Sequence, residues 1–334
     1  MSNETARQAG GIPAIHSRED VNTVLLTDRA WPDDRVEREV LESAGFRLVA
    51  GPPEPADTAT IDALVAANQP TAILTCWAPV SANAIGSSDA LRVVARMGVG
   101  LDNIEAAEAT RRGVWVTNVP DYCVEEVSDH AVGLVLTWTR GVVATDREVR
   151  AGRWNPASAR LRRLSTLTCG VVGYGRIGRR TVEKLRALGA RVVTSRPSSL
   201  EELLATSDVV ILHAPLTEAT RHLIGARELA LMPPGSLLVN VSRGGLVDTD
   251  ALAASLHAGH LGGAGLDVLE SEPAVPAQLL EHPGVVITPH IAFSSDASLI
   301  ELRRSAAEEV VRVLRGETPR HPCNRPYTNR IGVF

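Results

Sequence analysis

The chain has 334 residues, of which 44% are hydrophobic and 22% are charged, and its formal net charge is −5. This length suggests two domains, and the mildly acidic balance excludes a general nucleic-acid-binding surface. No apolar run approaches the ~18 residues of a membrane span, and the polar N-terminus, residues 1–20, resembles a loose tail rather than a signal peptide. The four cysteines show neither a C-x-x-C pair nor a metal-ligand spacing with histidine, which indicates reduced thiols in a cytoplasmic protein without a bound metal.

Apolar, β-rich runs alternate with helical patterns along most of the sequence, which predicts parallel sheets covered by helices. In the first part of the chain, a helix is expected at residues 36–44 and strands are expected at residues 24–26, 46–49, 72–75, 91–95 and 114–117. A second series starts near Gly170 and continues with strands at residues 192–193, 209–212, 237–241, 265–268 and 285–287. The predicted fold class is therefore α/β, with two doubly wound parallel-sheet units.

Two long helices are predicted outside these strand series. Residues 124–139 carry apolar side chains at helical spacing between Pro120 and Gly141, which are typical boundary residues. Residues 297–315 form a further helical pattern that ends before Gly316.

A glycine-rich turn follows the strand at Gly170. Its G-x-G-x-x-G pattern consists of Gly173, Tyr174, Gly175, Arg176, Ile177 and Gly178. A helix is predicted next, at residues 179–188, and this strand–turn–helix context favours a dinucleotide pyrophosphate site over a structural glycine turn. In such a site the first glycine forms the turn, the second admits the pyrophosphate and the third packs the helix against the strand.

The end of the second strand of this unit lacks the acidic residue that usually binds the adenosine ribose. Thr194, Ser195 and Arg196 stand there, and the next acidic residue is Glu201. A guanidinium and hydroxyl groups suit a 2′-phosphate, so the sequence favours NADP(H), with NAD(H) as the alternative. The other interpretation is that Arg196 only stacks on adenine and discriminates little between the two.

Polar residues are also expected at the carboxyl ends of other strands, where open α/β sheets place their sites. Arg243 is either a surface arginine or a clamp that holds a carboxylate through two parallel hydrogen bonds. His290 suits a general acid or base, although a lone histidine is more often structural. Asp267, Glu270 and Glu272 supply carboxylates nearby. Ketone reduction needs this set: an arginine to fix the acid, a histidine to protonate the carbonyl, and a carboxylate to stabilise the charged histidine.

With these stretches the sequence resembles the D-isomer-specific 2-hydroxyacid dehydrogenases over nearly the whole chain after residue 20. Residues 95–104, ARMGVGLDNI, look like the family's substrate-carboxylate loop. Residues 213–217, HAPLT, with Thr220 and His222, look like its H-x-P-L-T signature.

Arg243, Glu272 and His290 fall at the family's catalytic Arg, Glu and His positions, and the resemblance assigns no role to Glu270. Residues 118–127 and 293–295 look closest to bacterial members of the C-terminal-binding-protein branch. Two departures from the family are the missing acidic residue after the second strand and the shortened segment that follows it.

The resemblance implies a Rossmann dinucleotide-binding domain, residues 120–294, inserted into a flavodoxin-like substrate domain made of residues 1–119 and 295–334. It also implies that the helix at 124–139 helps to form a homodimer. The motifs and the resemblance together predict three groups of site residues. They are catalytic Arg243, Glu272 and His290; cofactor-binding Gly173, Tyr174, Gly175, Arg176, Ile177, Gly178, Ser195, Arg196, His213, Ala214, Pro215, Thr220, Val241, Ser242 and Asp267, the last as a nicotinamide contact; and substrate-binding Trp77, Arg96, Val99 and Gly100.

The implied activity is an NAD(P)-dependent interconversion of a small 2-oxo acid and a D-2-hydroxy acid. Two other functions stay open, namely a dinucleotide-sensing, corepressor-like interaction protein and a dehydrogenase acting on formate or phosphite. Methyl transfer from S-adenosylmethionine is a more distant alternative. Trp77, Tyr122 and Phe293 are expected either in the wall of the substrate pocket or in the core.

Overall fold

Two parallel β-sheets form the protein in a computed structural model, which describes residues 22–159, 161–196 and 198–326. The predicted tail, residues 1–20, lies outside the described residues. The strands are β1 (Thr23–Leu26), β2 (Arg47–Ala50), β3 (Ala72–Thr75), β4 (Val93–Arg96), β5 (Trp115–Thr117), β6 (Thr168–Val172), β7 (Arg191–Thr194), β8 (Val209–Leu212), β9 (Leu237–Asn240), β10 (Gly263–Leu266) and β11 (Val285–Ile287).

Helices connect these strands. The α-helices are α1 (Arg35–Ser43), α2 (Thr58–Asn68), α3 (Ala82–Gly86), α4 (Ala106–Arg111), α5 (Val124–Arg140), α6 (Val142–Arg150), α7 (Arg176–Ala187), α8 (Leu200–Thr206), α9 (Ala226–Leu231), α10 (Thr249–His257), α11 (Ala277–Leu280) and α12 (Asp296–Leu314). Short 3-10 turns lie at Pro156–Ser158, Leu164–Thr166, Glu218–Thr220 and Gly244–Leu246. Among the described helices, none combines the length and the apolarity that crossing a bilayer requires.

The first sheet has the strand order β2-β1-β3-β4-β5, with every pair parallel, which is the flavodoxin-like order. Strands β1, β3 and β4 are buried along their whole length, whereas the edge strand β2 has exposed residues at both ends. In β1, Val24 and Leu26 belong to one hydrophobic cluster and Leu25 belongs to another, as the two-residue period of a strand requires. Helix α12 comes back from the end of the chain to pack on β3 and β4. The boundaries expected at residues 120 and 294 stay predictions.

The second sheet has the order β11-β10-β9-β8-β6-β7 and is also parallel throughout. If β6 is counted as strand 1, this order is 2-1-3-4-5-6, whereas the usual Rossmann order is 3-2-1-4-5-6. The difference arises after β7, where five residues lead into the short helix α8 and the chain then crosses directly to β8, the other neighbour of β6. Strand β7 is therefore an edge strand, and the shortened segment seen in the sequence lies at this edge.

The predicted helices at 124–139 and 297–315 are confirmed as α5 and α12, and Gly141 ends α5 in a left-handed conformation with φ of 62°. Several predicted element ends differ from the structure by one to three residues, and two of these differences have a clear structural cause. Helix α7 begins at Arg176 rather than at residue 179, because Gly175 caps it and the fingerprint forms its first turn. Strand β10 ends at Leu266 rather than at residue 268, because Asp267 binds the loop that follows β11.

Candidate active site

A cleft of about 630 Å³ opens where the carboxyl ends of the strands of both sheets meet. One side consists of the loops after β3 and β4, the other consists of the glycine-rich turn and the loops after β8, β9, β10 and β11, and the loop after β5 also contributes to the lining. Every one of these segments directly follows a parallel strand, which is where open α/β sheets bind ligands. The loops after β3 and β4 are here called the substrate side of the cleft, and the glycine-rich turn with the loops after β8, β9, β10 and β11 is called the nucleotide side.

The glycine-rich turn has the geometry of a phosphate cradle. Gly173 has φ of 96°, and a Cβ atom there would lie 2.5 Å from the carbonyl carbon of His213. A Cβ atom on Gly178 would lie 2.0 Å from the carbonyl oxygen of Gly173, so only glycine lets α7 pack this closely. At Gly175, by contrast, a Cβ atom would meet no described atom within 4 Å. The open space at this glycine and the N-terminus of α7 behind it fit the pyrophosphate of a dinucleotide.

The first three residues of the H-x-P-L-T stretch, His213, Ala214 and Pro215, line the cleft beside this turn. The Nε2 atom of His213 lies 2.9 Å from Oγ1 of Thr181, whose own hydroxyl donates to the carbonyl of Ile177. Nε2 therefore carries the proton, and the buried Nδ1 has no hydrogen-bond partner among the described residues. Burial lowers the pKa of His213 to about 4, so the ring is neutral near pH 7.

The other predicted cofactor residues divide into two groups. Arg176, Ile177, Val241 and Ser242 line the cleft, whereas Tyr174 is exposed next to the turn. Thr220 lies outside the residues that line the cleft. Its hydroxyl donates to the carbonyl of Pro215 at 2.7 Å and accepts from the N–H of Thr217 at 2.7 Å, so it holds the turn after β8. A direct contact of Thr220 with the cofactor stays a prediction.

At the end of β7, hydroxyl groups fix the backbone around the expected ribose position. Oγ of Ser195 accepts a hydrogen bond from the N–H of Gly173 at 3.1 Å, and Oγ1 of Thr194 donates to the carbonyl of Arg196 at 2.6 Å. The exposed Arg196 side chain forms no ion pair within the part of the chain that the structure describes. Glu201, the next acidic residue, pairs with an arginine of α9 instead.

His290 and Glu272 form the expected pair. Nδ1 of His290 lies 2.8 Å from Oε2 of Glu272, while Oε1 of Glu272 accepts from the N–H of Leu269 at 2.8 Å. Burial alone raises the pKa of Glu272, but the hydrogen bond and charge of His290 outweigh this effect and hold the pKa below its usual value. Because Nδ1 is used in this pair, Nε2 is the ring nitrogen left for a ligand in the cleft.

Asp267 holds the loop that carries His290. Its carboxylate accepts from the N–H groups of Ile291 at 3.0 Å and Ala292 at 2.9 Å and from the hydroxyl of Thr288 at 2.5 Å. Its carbonyl accepts from the N–H of His290, which has the left-handed φ of 53°. The residue expected to contact nicotinamide therefore also fixes the backbone of the histidine, a role that its sequence motif does not reveal.

Arg243 reaches across the cleft to the substrate side. Its Nε lies 3.1 Å from Oδ1 of Asp102, its Nη1 donates to the carbonyl of Ser242 at 2.8 Å, and a Cβ atom on Gly100 would lie 1.8 Å from its Nη2. Burial raises the pKa of Asp102, but the charge and hydrogen bond of Arg243, a backbone hydrogen bond and the charge of Arg96 together lower it. Asp102 was not foreseen, although an acid two residues from Gly100 is a natural partner for this arginine.

The loop after β4 offers unused N–H groups next to Arg243. Neither Val99 nor Gly100 donates a backbone hydrogen bond to any described residue, and the carbonyl of Val99 is fixed by the side-chain amide of Asn118 at 2.7 Å. The buried Arg96 lies behind this loop, where it donates to the carbonyl of Met97. The loop thus has free donors at its tip, as a carboxylate site requires, and a buried cation beneath it.

Glu270, which received no role from the sequence, forms a second glutamate–histidine pair. Its Oε1 lies 2.6 Å from Nε2 of His222, and Oε2 accepts from the hydroxyl of Thr249 at 3.3 Å. The hydrogen bond from His222 lowers the pKa of Glu270. This pair ties down the segment that carries Glu272, and neither of its members lines the cleft.

Trp77 of the substrate side meets Phe293 of the nucleotide side, and Phe293 in turn contacts Tyr122. The ring of Trp77 lies 6.1 Å from that of Phe293 and 6.5 Å from that of His290, measured between centroids, and Phe293 lies 6.3 Å from Tyr122. All three aromatic residues line the cleft. Within the described residues, no group of three or more His, Cys, Asp or Glu side chains is arranged to hold a metal ion.

Known proteins match both the sequence and the fold. The profile of the D-isomer specific 2-hydroxyacid dehydrogenase NAD binding domain matches residues 132–292. A glyoxylate reductase of Thermococcus litoralis is 36% identical over 256 residues, which cover 70% of this chain and 77% of that protein. A D-3-phosphoglycerate dehydrogenase of Mycobacterium tuberculosis is 38% identical over 252 residues, 71% of this chain and 48% of that protein.

Among solved structures, an NADPH-dependent glyoxylate/hydroxypyruvate reductase from Sinorhizobium meliloti, in complex with NADP and malonate, superposes with a TM-score of 0.80. It is 29% identical, and the match covers 90% of this chain and 96% of that one.

These relatives do not support the expected placement beside the C-terminal-binding-protein branch. The two stretches behind that expectation have structural uses instead. Asn118 fixes the loop after β4, Tyr122 packs on Phe293, and Ser295 caps α12 by accepting from the N–H of Ser298. These contacts stabilise the loops of the cleft. The two stretches therefore do not assign the chain to the C-terminal-binding-protein branch.

Proposed function

Because this chain belongs to the D-isomer specific 2-hydroxyacid dehydrogenase family, whose members are NAD(P)-dependent oxidoreductases, we propose that it reduces a 2-oxo acid to a D-2-hydroxy acid. In this proposal Arg243, His290 and Glu272 are the catalytic residues. The observation that carries it is that the His290–Glu272 pair and Arg243 come from three separate loops and reach one cleft.

Substrate binding follows from the donors around the cleft. The N–H groups of Val99 and Gly100 and Nη2 of Arg243 supply hydrogen bonds to one carboxylate of the 2-oxo acid. Asp102 and the carbonyl of Ser242 already engage Nε and Nη1 of Arg243, so they orient the guanidinium before the substrate arrives. Preorganised charge-assisted donors of this kind bind carboxylates strongly and fix their orientation.

A nicotinamide cofactor, when bound, supplies the hydride for the carbonyl carbon. Protonated His290 then gives the Nε2 proton to the carbonyl oxygen, so that hydride and proton together convert C=O to CH–OH. Glu272 holds Nδ1 and stabilises the imidazolium before transfer. In the oxidative direction the neutral imidazole takes the hydroxyl proton back.

The cofactor is proposed to be NADP(H). Gly173, Gly175 and Gly178 form the pyrophosphate cradle, and Ser195 and Arg196 lie at the expected ribose end. Because Oγ of Ser195 already accepts from the backbone of the turn, its own hydroxyl proton is available to an incoming acceptor. Arg196 adds a positive charge, and NADPH dependence is stated for the Sinorhizobium relative.

The cofactor proposal is tested by kcat/KM for NADPH and NADH in the parent and in Arg196→Ala. A charge-assisted contact contributes about 1.5–3 kcal/mol, so its loss should weaken the use of NADPH by roughly tenfold or more and leave NADH nearly unchanged. Arg227→Ala, which removes an exposed arginine from the adjacent helix α9, is the matched control. Equal effects on both cofactors, or a parent that prefers NADH, would contradict a 2′-phosphate site.

A homodimer is also proposed. Helix α5, which was expected to help form the dimer, leads through Gly141 directly into α6. Helix α6 and the segment after it expose Val142, Val149 and Trp154, whose exposed fractions are 55%, 49% and 84%. Exposed large apolar side chains that follow one another in this way are typical of a protein interface. Light scattering should give twice the mass of the chain, and a monomer at micromolar concentration would contradict the proposal.

Two further expectations stay predictions. They are the domain boundaries at 120 and 294 and the cytoplasmic location.

The activity itself is tested with a panel of 2-oxo acids that includes glyoxylate, pyruvate, hydroxypyruvate and phenylpyruvate, each with NADPH and NADH. The expected result is saturable consumption of the reduced cofactor by at least one acid. Turnover of formate or phosphite alone would support the alternative dehydrogenase. Cofactor binding without turnover of any acid would support a dinucleotide-sensing protein.

A further inference from the structure

A buried carboxylate outside the proposed catalytic set organises the substrate side of the cleft. Asp28 follows β1 and is fully buried. Its Oδ1 accepts from the N–H of Cys76 at 2.9 Å, and its Oδ2 accepts from the N–H groups of Trp77 at 2.7 Å and Ala78 at 3.1 Å. One side chain thus binds three successive backbone donors of the loop that follows β3.

These contacts are strong constraints because the carboxylate lies away from water. An ionised group in a protein interior needs hydrogen bonds to offset its desolvation, and buried backbone N–H groups need acceptors. The buried carboxylate of Asp28 and the N–H groups of the loop therefore depend on each other. Two further hydroxyl groups support the arrangement. Thr27 donates to Oδ1 of Asp28 at 2.8 Å, and Thr75 donates to the carbonyl of Ala78 at 2.8 Å, which closes the loop at its far end.

The loop held in this way presents Trp77 to the reaction centre. The indole, half-buried at the edge of the cleft, lies edge-on to the imidazole of His290 and to the ring of Phe293, with centroids 6.5 and 6.1 Å away. Phe293 in turn packs on the buried ring of Tyr122. The surface next to the acid–base histidine is therefore aromatic, and its outer member is placed by backbone contacts to Asp28.

We propose that Asp28 is a positioning residue that sets Trp77 as the outer wall of an apolar subsite for the side chain of the 2-oxo acid. This inference rests on the proposed function, since it concerns the same reaction. It names the substrate class as 2-oxo acids with a bulky apolar side chain, in preference to glyoxylate, which has only hydrogen at that position. An apolar side chain that is buried against a large aromatic surface contributes favourable binding free energy, whereas a hydrogen atom buries too little area to contribute much.

The substitution that tests the proposal is Asp28→Asn. An amide keeps the shape of the side chain but replaces one acceptor oxygen by a donor that faces N–H groups, so the loop should shift. Small displacements of binding groups are costly to catalysis, and we expect kcat/KM for phenylpyruvate to fall about tenfold, mainly through KM. The value for glyoxylate and the Kd of NADPH should stay nearly unchanged, because neither uses Trp77.

Three further variants make the test specific. Trp77→Ala should lower the ratio of kcat/KM for phenylpyruvate to that for glyoxylate in the same direction as Asp28→Asn. Asp208→Asn is the matched control, because Asp208 also accepts a backbone N–H, from Thr168 at 2.8 Å, but at the opposite end of the second sheet. It should leave that ratio at the parental value. Thr75→Val loosens the same loop while Asp28 stays in place, and it decides the question if Asp28→Asn does not fold.

The outcomes separate this inference from the proposed function. If the parent reduces neither acid nor any other 2-oxo acid, the proposed function fails, and the inference fails with it. If the parent reduces 2-oxo acids but does not favour phenylpyruvate over glyoxylate, or if the ratio is unchanged in folded Asp28→Asn or in Thr75→Val, only the positioning role is overturned. A fall in thermal stability with an unchanged ratio would show a purely structural Asp28.

Discussion

On the substrate side of the cleft, the carboxylate of Asp28 receives three successive N–H groups of the loop after β3, whereas on the nucleotide side Asp267 receives two N–H groups of the loop after β11. Both aspartates follow a strand, and each holds the loop after the strand that pairs with it. The same device therefore occurs on both sides. What differs is the side chain presented, which is the indole of Trp77 on one side and the imidazole of His290 on the other.

This difference assigns different tasks to the two sides. In the proposed mechanism the nucleotide side fixes the group that moves a proton, so changes there should lower turnover for every substrate. The substrate side fixes an apolar surface, so changes there should alter the choice between substrates. Buried carboxylates suit both tasks because several charge-assisted hydrogen bonds define a loop conformation more narrowly than apolar packing alone does.

The largest expected effect compares His290→Ala with Trp77→Ala. General acid catalysis contributes roughly 10²- to 10⁴-fold, so His290→Ala should lower kcat by that factor for all 2-oxo acids. Trp77→Ala should mainly lower kcat/KM for acids with large side chains. Steady-state kinetics and fluorescence titration with NADPH check both statements, and NADPH affinity should be retained.

His222→Ala is the matched control for the histidine, because His222 also pairs with a glutamate of the 270–272 segment but lies outside the cleft. It should keep most of the turnover. If His290→Ala keeps parental turnover, or if the control loses as much, His290 is not the general acid.

Arg243→Lys is expected to have the next largest effect. Lysine keeps the charge but cannot contact Asp102, Ser242 and the substrate with three separate nitrogens. We expect kcat/KM for the 2-oxo acid to fall by roughly 10- to 100-fold, on the basis of about 1.5–3 kcal/mol for a charge-assisted contact. If the lysine variant has parental kinetics, Arg243 does not bind the substrate carboxylate, and Arg96 becomes the next candidate.

Asp267→Asn should show the reverse of the pattern expected for Asp28→Asn. The loop of His290 should loosen, so kcat should fall about tenfold while the ratio between phenylpyruvate and glyoxylate stays at the parental value. The Kd of NADPH separates the two roles of Asp267. An unchanged Kd supports the loop anchor, and a Kd that rises in step with the loss of kcat supports the predicted nicotinamide contact instead.

The smallest expected effect is a change in pH dependence. The lowered pKa of Glu272 shows that the carboxylate is stabilised by His290, and this stabilisation is mutual. Glu272→Gln removes this partner of the charged imidazole. Reduction, which uses the imidazole proton, should therefore fall away at a lower pH than it does in the parent. Glu270→Gln is the control from the same segment, and its pH–rate profile should superimpose on that of the parent. Equal shifts of the profile in both variants would show that Glu272 is not the specific partner of His290.

Much of this architecture could be predicted from the sequence, because apolar strands alternating with helices leave few alternatives to a parallel α/β fold. The sequence also showed a shortened segment after β7, which the structure explains by the direct crossing from β7 to β8. The order of the second sheet could not be predicted, since the hydrophobic pattern of a strand does not state its neighbours. The end of β10 was misplaced because Asp267 and Val268 are buried and resemble a continuing strand.

The placement of Arg243 and His290 at the cleft and of Glu272 beside His290 could be predicted, because these residues lie in stretches that resemble family motifs; their catalytic roles stay predictions. Asp28 lies in no such stretch, and it contacts residues 48 to 50 positions away that only the pairing of β1 with β3 brings close. The one available signal was an acid two residues after the end of the buried strand β1. Asp102 was overlooked for a similar reason, since its partner Arg243 is 141 positions away.

The central claim is that this cleft reduces a 2-oxo acid to the D-hydroxy acid. It is tested most directly by chiral separation of the product formed from phenylpyruvate and NADPH, with cofactor consumption followed in the same sample. The predicted result is D-phenyllactate in an amount equal to the NADPH consumed. The L enantiomer, a racemic product, or NADPH consumption without a hydroxy acid would contradict it.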